Sequence, residues 1–441
     1  MINVRRFLLP EFVQRKLAAS HGLRRIARNT AWQLADRLLR MGIGLVVAIL
    51  TARHLGPAQF GELALAVTAA ALLSAFTALG IDAVIVRNIV RDADARFAIL
   101  GTSLTLRLLT GSLGAVGLSL AAGWLPDDGA LVPIIAPILI LHSFDVIDLW
   151  FQSQVQIGWV VAARLASFLA AAVGKLLLIV HQAPVAAFAW AHLGEACLTA
   201  AALAVAYRCA GQRLRDWRFD PIVARSLLRD AGPLLLSSVF AALYMRMDQF
   251  FLAWFSTAHE LGVYCVAVRF AEVWYVIPAA LASSTYPSVV AALGASPELL
   301  HRRMQRLYDV VSLICYAIAI PVTVVAPWVI ALLYGERFAG AGPALMILIW
   351  TLHFTGLGMA RSSYLTARNL LGLHTLTVLS ACLVNLALNV LLIPAWGAVG
   401  AAFASVIAYA FATLGACFLF KPLRPTGWMI GRALLLPRIA R

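Results

Sequence analysis

Charge is scarce in this sequence, and its scarcity excludes most soluble architectures. Only 12% of the 441 residues are charged and 62% are hydrophobic, whereas soluble domains carry about 25% charge. A polytopic membrane protein is the class that remains. Long polar stretches are missing too. No loop between apolar segments exceeds about 25 residues, which leaves no room for a soluble catalytic domain, and no enzyme is expected. The six cysteines, Cys197, Cys209, Cys265, Cys315, Cys382 and Cys417, fall in or beside apolar segments with no CxxC spacing, so they read as small hydrophobes. The nine histidines form no HxxxH or HExxH pattern, so neither a metal site nor a cofactor is expected. An uninterrupted apolar run behind the first basic residues is also lacking, so no cleavable signal peptide is expected. Residues 1–32 read instead as a basic amphipathic arm on the inner leaflet.

What is present is a series of apolar segments. They fall at 33–53, 62–80, 97–122, 131–152, 158–180 and 184–207, then at 232–255, 262–290, 305–333, 343–366, 373–394 and 398–420. Most reach the ~20 residues that cross a bilayer core. The expected fold is therefore all-α, with twelve transmembrane helices. Six occupy each side of a basic linker at 208–231, and a basic tail follows at 421–441. The net charge of +15 would fit nucleic acid in a soluble protein, but here it follows the positive-inside rule. With the N-terminus placed inside, 25 Lys and Arg lie in inside segments and only Arg53 and Arg337 at outside ends. That bias puts both termini in the cytoplasm. The outer loop at 123–130 is acidic, with Asp127 and Asp128. Trp124, Trp150, Trp159, Trp328 and Trp396 stand near segment ends and read as interface anchors.

A weak internal repeat supports the division. Ala52–Ala66 aligns without gaps on Ala253–Ala267, which pairs Gly61 with Gly262. Two related six-helix lobes, 33–207 and 232–420, follow, related by an axis along the membrane normal.

The deep charges need a reason. Arg107, Arg164, Lys175, Arg246, Arg269 and Arg361 lie inside apolar segments, as do Asp145, Asp148, Glu195, Asp248 and Glu272. Exposing all eleven to lipid would cost roughly 30 kcal/mol at ~3 kcal/mol each. They must pair with one another or line a water-filled central cavity. The hairpin 233–290 is the densest case. Ser237, Ala241, Tyr244 and Asp248 share one helical stripe, and Arg246 lies on another face. Counting residues from a turn centred near Ala258 brings Asp248 level with Arg269 and Glu272. These three are expected to cluster, with Arg246 left for a ligand. A structural ion network that fixes helix register is the alternative. Asp145 and Asp148 either cap their helix or pair with Arg164, Lys175 is expected to snorkel, and Glu195 is either a proton carrier or a structural hydrogen-bonding group.

Four stretches carry a resemblance to a known family. They are ARHLGPAQFGE at Ala52–Glu62, the hairpin with Asp248, Gly262, Tyr264, Arg269, Pro278 and Pro287, the run Leu333–Phe338 with 341–350, and Asn385 through Asn389, Pro394, Gly397 and Gly400 to Ala402. In order and topology the chain resembles the bacterial polysaccharide-export (O-antigen, Wzx-type) flippases of the MATE/MOP superfamily. The resemblance implies two six-helix lobes in a V around a central cavity in the inner membrane. It implies export of undecaprenyl-diphosphate-linked oligosaccharide by alternating access for O-antigen or exopolysaccharide synthesis, coupling to a proton or sodium gradient, and a polysaccharide polymerase as partner. Lipid II flippases of that superfamily usually have fourteen spans, so twelve argues against their role.

On that reading Arg246 and Arg269, with Arg107, Arg164 and Arg361 behind them, are the expected substrate contacts, because guanidinium groups suit diphosphate or acidic sugar. Asp248, Glu272 and Glu195 are the expected ion-coupling residues. The charged hairpin of the second lobe, whose counterpart carries Val47 and Ala48 opposite Asp248, is expected to carry most contacts. A MATE-type cation or drug antiporter is the first alternative, although the arginines oppose organic cations. A membrane glycosyltransferase or polymerase is the second, and the short outer loops disfavour it.

Overall fold

The computed structural model describes residues 21–125, 129–368 and 370–437, and among them it contains helices and no strand. Residues 1–20 of the expected arm, the acidic pair Asp127 and Asp128, and the end of the basic tail lie outside the described residues. The first half comprises α1 (His21–Thr77), α2 (Asp82–Arg91), α3 (Arg96–Ala121), α4 (Val132–Ile135), α5 (Ile138–Leu141), α6 (Val146–Ser153), α7 (Ile157–Val180) and α8 (Val185–Cys209). The second comprises α9 (Pro221–Phe255), α10 (Ala258–Val273), α11 (Val276–Leu293), α12 (Pro297–Tyr334), α13 (Ala341–Leu348), α14 (Thr351–Ala367), α15 (Leu371–Ala410), α16 (Ala416–Leu419) and α17 (Arg424–Leu435).

Nine stretches of the described residues are long and apolar enough to cross a membrane. Two of them contain a break and hold two spans each. Gly56 has φ 74° inside α1 and Gly397 has φ 51° inside α15, a region that glycine enters without steric cost. Each break coincides with a turn anticipated between apolar segments. The seventh expected segment, 232–255, lies within α9. The chain therefore accommodates the expected twelve, although nine is the number of continuous apolar stretches.

The connector is shorter than its composition indicates. Asp220 caps α9, its carboxylate accepting from the N–H groups of Ile222 at 2.7 Å and Val223 at 3.3 Å, so the helix begins before the apolar run does. The start of α9 is docked on the first half. Asp230 pairs with Arg87, Thr102 Oγ1 accepts from the Asp220 N–H at 2.9 Å, and Leu227 is buried with Ile85, Ile147 and Tyr207. Trp150 belongs to that core, 6% exposed and edge-on to Phe151 and Tyr207. It is a packing residue, unlike Trp124, Trp159, Trp328 and Trp396, which are exposed. The tail also folds. Helix α17 buries Met429 and Ile430, and Tyr316 of α12 donates to the Leu434 carbonyl at 2.7 Å.

The two halves meet at one end of the bundle. There Ala52, Phe60 and Leu63 join Leu252, Leu261, Tyr264 and Phe338 in one apolar core. The contact runs backbone to backbone. A methyl group on Gly61 would sit 2.0 Å from the Ala258 carbonyl oxygen, and one on Gly262 would sit 1.9 Å from that of Pro57. Small residues permit such approach between membrane helices. The two glycines related by the sequence repeat thus face each other across the junction. Gly262→Ala is expected to force the halves apart and destabilise the protein by about 1–3 kcal/mol, the usual cost of overpacking. Thermal unfolding of the purified variant in detergent measures it, and an unchanged Tm would show that the junction yields.

Candidate functional site

A cavity of 410 Å³ is built mainly by the first half. Helices α1, α7 and α8 and the short helices between 132 and 153 supply apolar walls that include Val47, Phe60, Ile138, Phe168 and Phe188. Set into these walls are Arg40, His142, Asp145, Arg164, Lys175, His192 and Glu195. From the second half comes one lining residue, Arg269 of α10. A second cavity, 320 Å³, shares His142, Asp145 and Arg164 with the first and adds Arg107, Asp82 and Asp148. The two adjoin at these shared residues.

Most charges in this space are paired. Arg164 donates to Asp145 at 2.8 Å and to Asp148 at 2.9 Å. Lys175 reaches Glu195 at 2.9 Å, Arg40 reaches Asp36 at 2.6 Å, and Arg107 pairs with Asp82. Arg269 is the exception. It is exposed and has no ion-pair partner among the described residues. Such a group at membrane depth implies water or a polar ligand beside it.

The hairpin differs from its expected arrangement. The turn is only Ser256 and Thr257, with Thr257 capping α10. Asp248 lies seven residues before Phe255, and Tyr264 six after Ala258, so these two are level. Accordingly the Tyr264 hydroxyl donates to Asp248, and Ser405 donates to the same carboxylate at 3.1 Å. Arg246, expected to be left for a ligand, instead pairs with Glu272 at 3.5 Å. Arg269 is separate from both. The Asp248–Arg269–Glu272 cluster does not form because the turn sits nearer the start of the hairpin than residue 258. Arg361 is buried and donates to the carbonyls of Ala412 and Thr413 at 2.7 and 3.2 Å. Arg107, Arg164, Glu195 and Arg269 therefore line the first-half space, whereas Arg246, Asp248, Glu272 and Arg361 do not.

Symmetry explains where the cavity lies. The register that pairs Gly61 with Gly262 also pairs Thr68 with Arg269 and Ala48 with Gln249. On one side of the axis Thr68 donates to Gln249 at 2.6 Å, and both are buried. On the other, Arg269 and the small Ala48 both line the cavity. The same positions close the bundle on one side and open it on the other.

The chain matches the profile of the polysaccharide biosynthesis protein family over residues 26–292, more than half its length. The chain belongs to that family. A curated relative, the probable low-salt glycan biosynthesis flippase Agl15 of Haloferax volcanii, is 26% identical over 198 residues, 43% of this chain. The match covers only 41% of that relative. Among solved structures, the lipid II flippase MurJ in an inward closed conformation superposes with a TM-score of 0.73 at 12% identity, over 91% of this chain and 90% of that one. An inward-facing multidrug resistance MATE transporter of the MOP superfamily gives 0.69 at 18% identity, over 88% and 96%. A MOP-superfamily transporter from Pyrococcus furiosus, described as having a binding pocket of reversed polarity, gives 0.61 at 17%, over 90% and 95%. At these identities the likeness establishes the fold, two pseudo-symmetric lobes around a cavity.

Sequence reasoning missed the Lys175–Glu195 pair. Lys175 lies five residues before the end of α7 and Glu195 ten after the start of α8. At 1.5 Å rise per residue that leaves about 7 Å between their levels, which a long lysine side chain bridges. His142 and His192 were missed because an isolated histidine carries no spacing signal. Lys175→Met is expected to destabilise the protein by stranding Glu195, and Lys175→Met with Glu195→Gln to restore much of the loss. The coupling should be about 0.5–3 kcal/mol in a double-mutant cycle read by thermal unfolding. A coupling near zero would mean that the two groups are independently solvated.

Proposed function

We propose that this protein is a flippase that carries undecaprenyl-diphosphate-linked oligosaccharide from the cytoplasmic to the periplasmic leaflet of the bacterial inner membrane. The observation that carries this reading is Arg269, an unpaired cation of the second half on a cavity otherwise built by the first. An anionic head group drawn to Arg269 also meets Arg164 and Lys175 across the cavity, and so bridges the halves. Guanidinium groups bind phosphate through paired, charge-assisted hydrogen bonds. Binding there couples the head group to the relative motion of the halves, while the lipid tail stays in the bilayer. The names of the glycan and lipid II flippases that this chain resembles support the same substrate class.

On this reading the lobes are 33–207 and 232–420, joined by 208–231, and the Lys and Arg bias supports cytoplasmic termini. The glycine junction is then the periplasmic end, and the cavity opens inward. Arg164 and Arg269 are the principal head-group contacts, with Arg107 deeper in the same polar space. Arg246, held by Glu272, adjusts the second half. Asp248, buried with Tyr264 and Ser405, is the ion-coupling carboxylate for protons or sodium, ahead of the paired Glu195 and Glu272. The protein transports rather than catalyses, and a polysaccharide polymerase takes the product.

A MATE-type cation antiporter needs free acids in the cavity, but Asp145 and Glu195 are held by Arg164 and Lys175. In cells, Arg269→Ala is expected to lower surface-polymer export roughly tenfold or more, the value of a charge-assisted contact, with the protein still inserted. Asp248→Asn should do the same. Normal export by both variants would rule out the site. Proton release on binding cationic dyes would favour the antiporter.

A further inference from the structure

The second half holds a cavity of its own, 260 Å³, between α9, α14, the start of α15 and the π-helical turn Phe411–Gly415. It shares no lining residue with the first-half cavities. Its wall is mostly apolar, and Tyr244, Tyr275, Tyr409, Thr355, Thr413 and His374 set polar groups into it. The rings of Tyr244 and Tyr409 lie 4.7 Å apart at 39°. Tyr275 bonds Thr351 at 2.7 Å, but the hydroxyls of Tyr244 and Tyr409 have no protein partner among the described residues. Tyrosine hydroxyls inside proteins normally find one.

Arg361 forms the remaining side and is 3% exposed. Its Nη1 donates to the Ala412 and Thr413 carbonyls and to Cys417 Sγ at 3.3 Å, and its Nη2 donates to Thr377 Oγ1 at 3.2 Å. The two carbonyls belong to the π-helical turn, a deviation from α-helix that recurs at functional sites. Nε has no partner. No carboxylate pairs with Arg361 among the described residues, in contrast to Arg40, Arg107, Arg164 and Lys175. Neutral groups hold this guanidinium in place and leave its charge unbalanced. Two donors are uncommitted, Nε–H and the second Nη2–H, out of the five that guanidinium offers.

From this geometry we infer that the cavity is a subsite for one acidic sugar unit of the translocated glycan. The sugar carboxylate meets the uncommitted donors of Arg361, the ring packs on Tyr244 and Tyr409, and their hydroxyls bond sugar hydroxyls. The volume lies just under the roughly 300–1,000 Å³ of small-molecule sites, which suits a single sugar rather than an oligosaccharide. The inference rests on the reading of the protein as a glycan flippase and adds the charge of the cargo to it.

Binding of sodium glucuronate to the full-length protein in detergent tests this, with glucose and sodium chloride as controls, read as the shift in Tm. Glucuronate is expected to raise Tm saturably in the millimolar range and glucose is not. Tyr409→Ala should abolish the shift, and Arg361→Lys, which keeps the charge but loses the fork, should weaken binding roughly tenfold. Because Arg361 also holds the π-helical turn, Tyr409→Ala is the deciding variant, and its Tm without ligand reports its fold. No saturable shift in the wild type, an equal shift with glucose, or an unchanged shift in Tyr409→Ala overturns the inference. Farnesyl diphosphate binding, compared between wild type and Arg269→Ala, separates the two readings. If it binds through Arg269 while glucuronate fails, the flippase reading stands without the acidic subsite. If neither ligand binds, both readings fall.

Discussion

The close approach of Gly61 and Gly262 is the constraint on which the rest of the architecture depends. Each helix places its backbone where a side chain of the other would otherwise lie. The junction is therefore narrow and sits at one end, under the turns at Gly56 and at Ser256–Thr257. Away from it, the start of α9 packs Leu227 and Ala231 into a second core around Ile85, Ile147, Phe151 and Tyr207 of the first half. A bundle joined at the glycine junction and again at the start of α9 leaves space between these contacts. That space is where charges can lie at membrane depth without facing lipid.

The junction also sets the symmetry, and the departures from symmetry locate the cavity. Thr68 and Gln249 occupy one side of the axis and join the halves by a buried hydrogen bond. Their counterparts, Arg269 and Ala48, occupy the other and cannot make that bond. An alanine where a glutamine would match, and an arginine where a threonine would, turn a closed contact into a wall of the cavity. The exchange needs no change in backbone path. It shows how two pseudo-symmetric halves acquire one cavity wall while the other side keeps them together.

Much of this was legible in the sequence because the bilayer reduces the problem to length and hydropathy. Apolar segments, the turn at Gly56, the break at Gly397 and the pairing of Gly61 with Gly262 were all there to be read. Charge partners were not, because pairing depends on helix rotation and on where each turn begins. Placing the hairpin turn at Ala258 rather than at Ser256–Thr257 moved the expected partner of Asp248 from Tyr264 to Arg269. Trp150 carried the composition of an anchor, yet Phe151 and Tyr207 enclose it. The asymmetric hairpin drew attention to the second half, whereas the balanced charges of the first half build the larger cavity. Each of those charges taken alone resembles a snorkelling or capping residue.

The ion pairs then acquire a different meaning from that of the unpaired cations. Arg164 with two aspartates and Lys175 with Glu195 keep these charges of the first half near neutrality, and Arg269 lines the same cavity. Such pairs can open to accept an anion, because the displaced carboxylates remain in a hydrated cavity rather than in lipid. Arg269 and Arg361 have no carboxylate partner to displace, and so attract anionic groups at no such cost. Both belong to the second half, and the pairs that line the cavity belong to the first. A cargo with two anionic groups, a diphosphate and a sugar acid, would meet one unpaired cation in each cavity. Motion of one half against the other would then change the balance between these contacts, which is the condition for binding to be linked to a change of state.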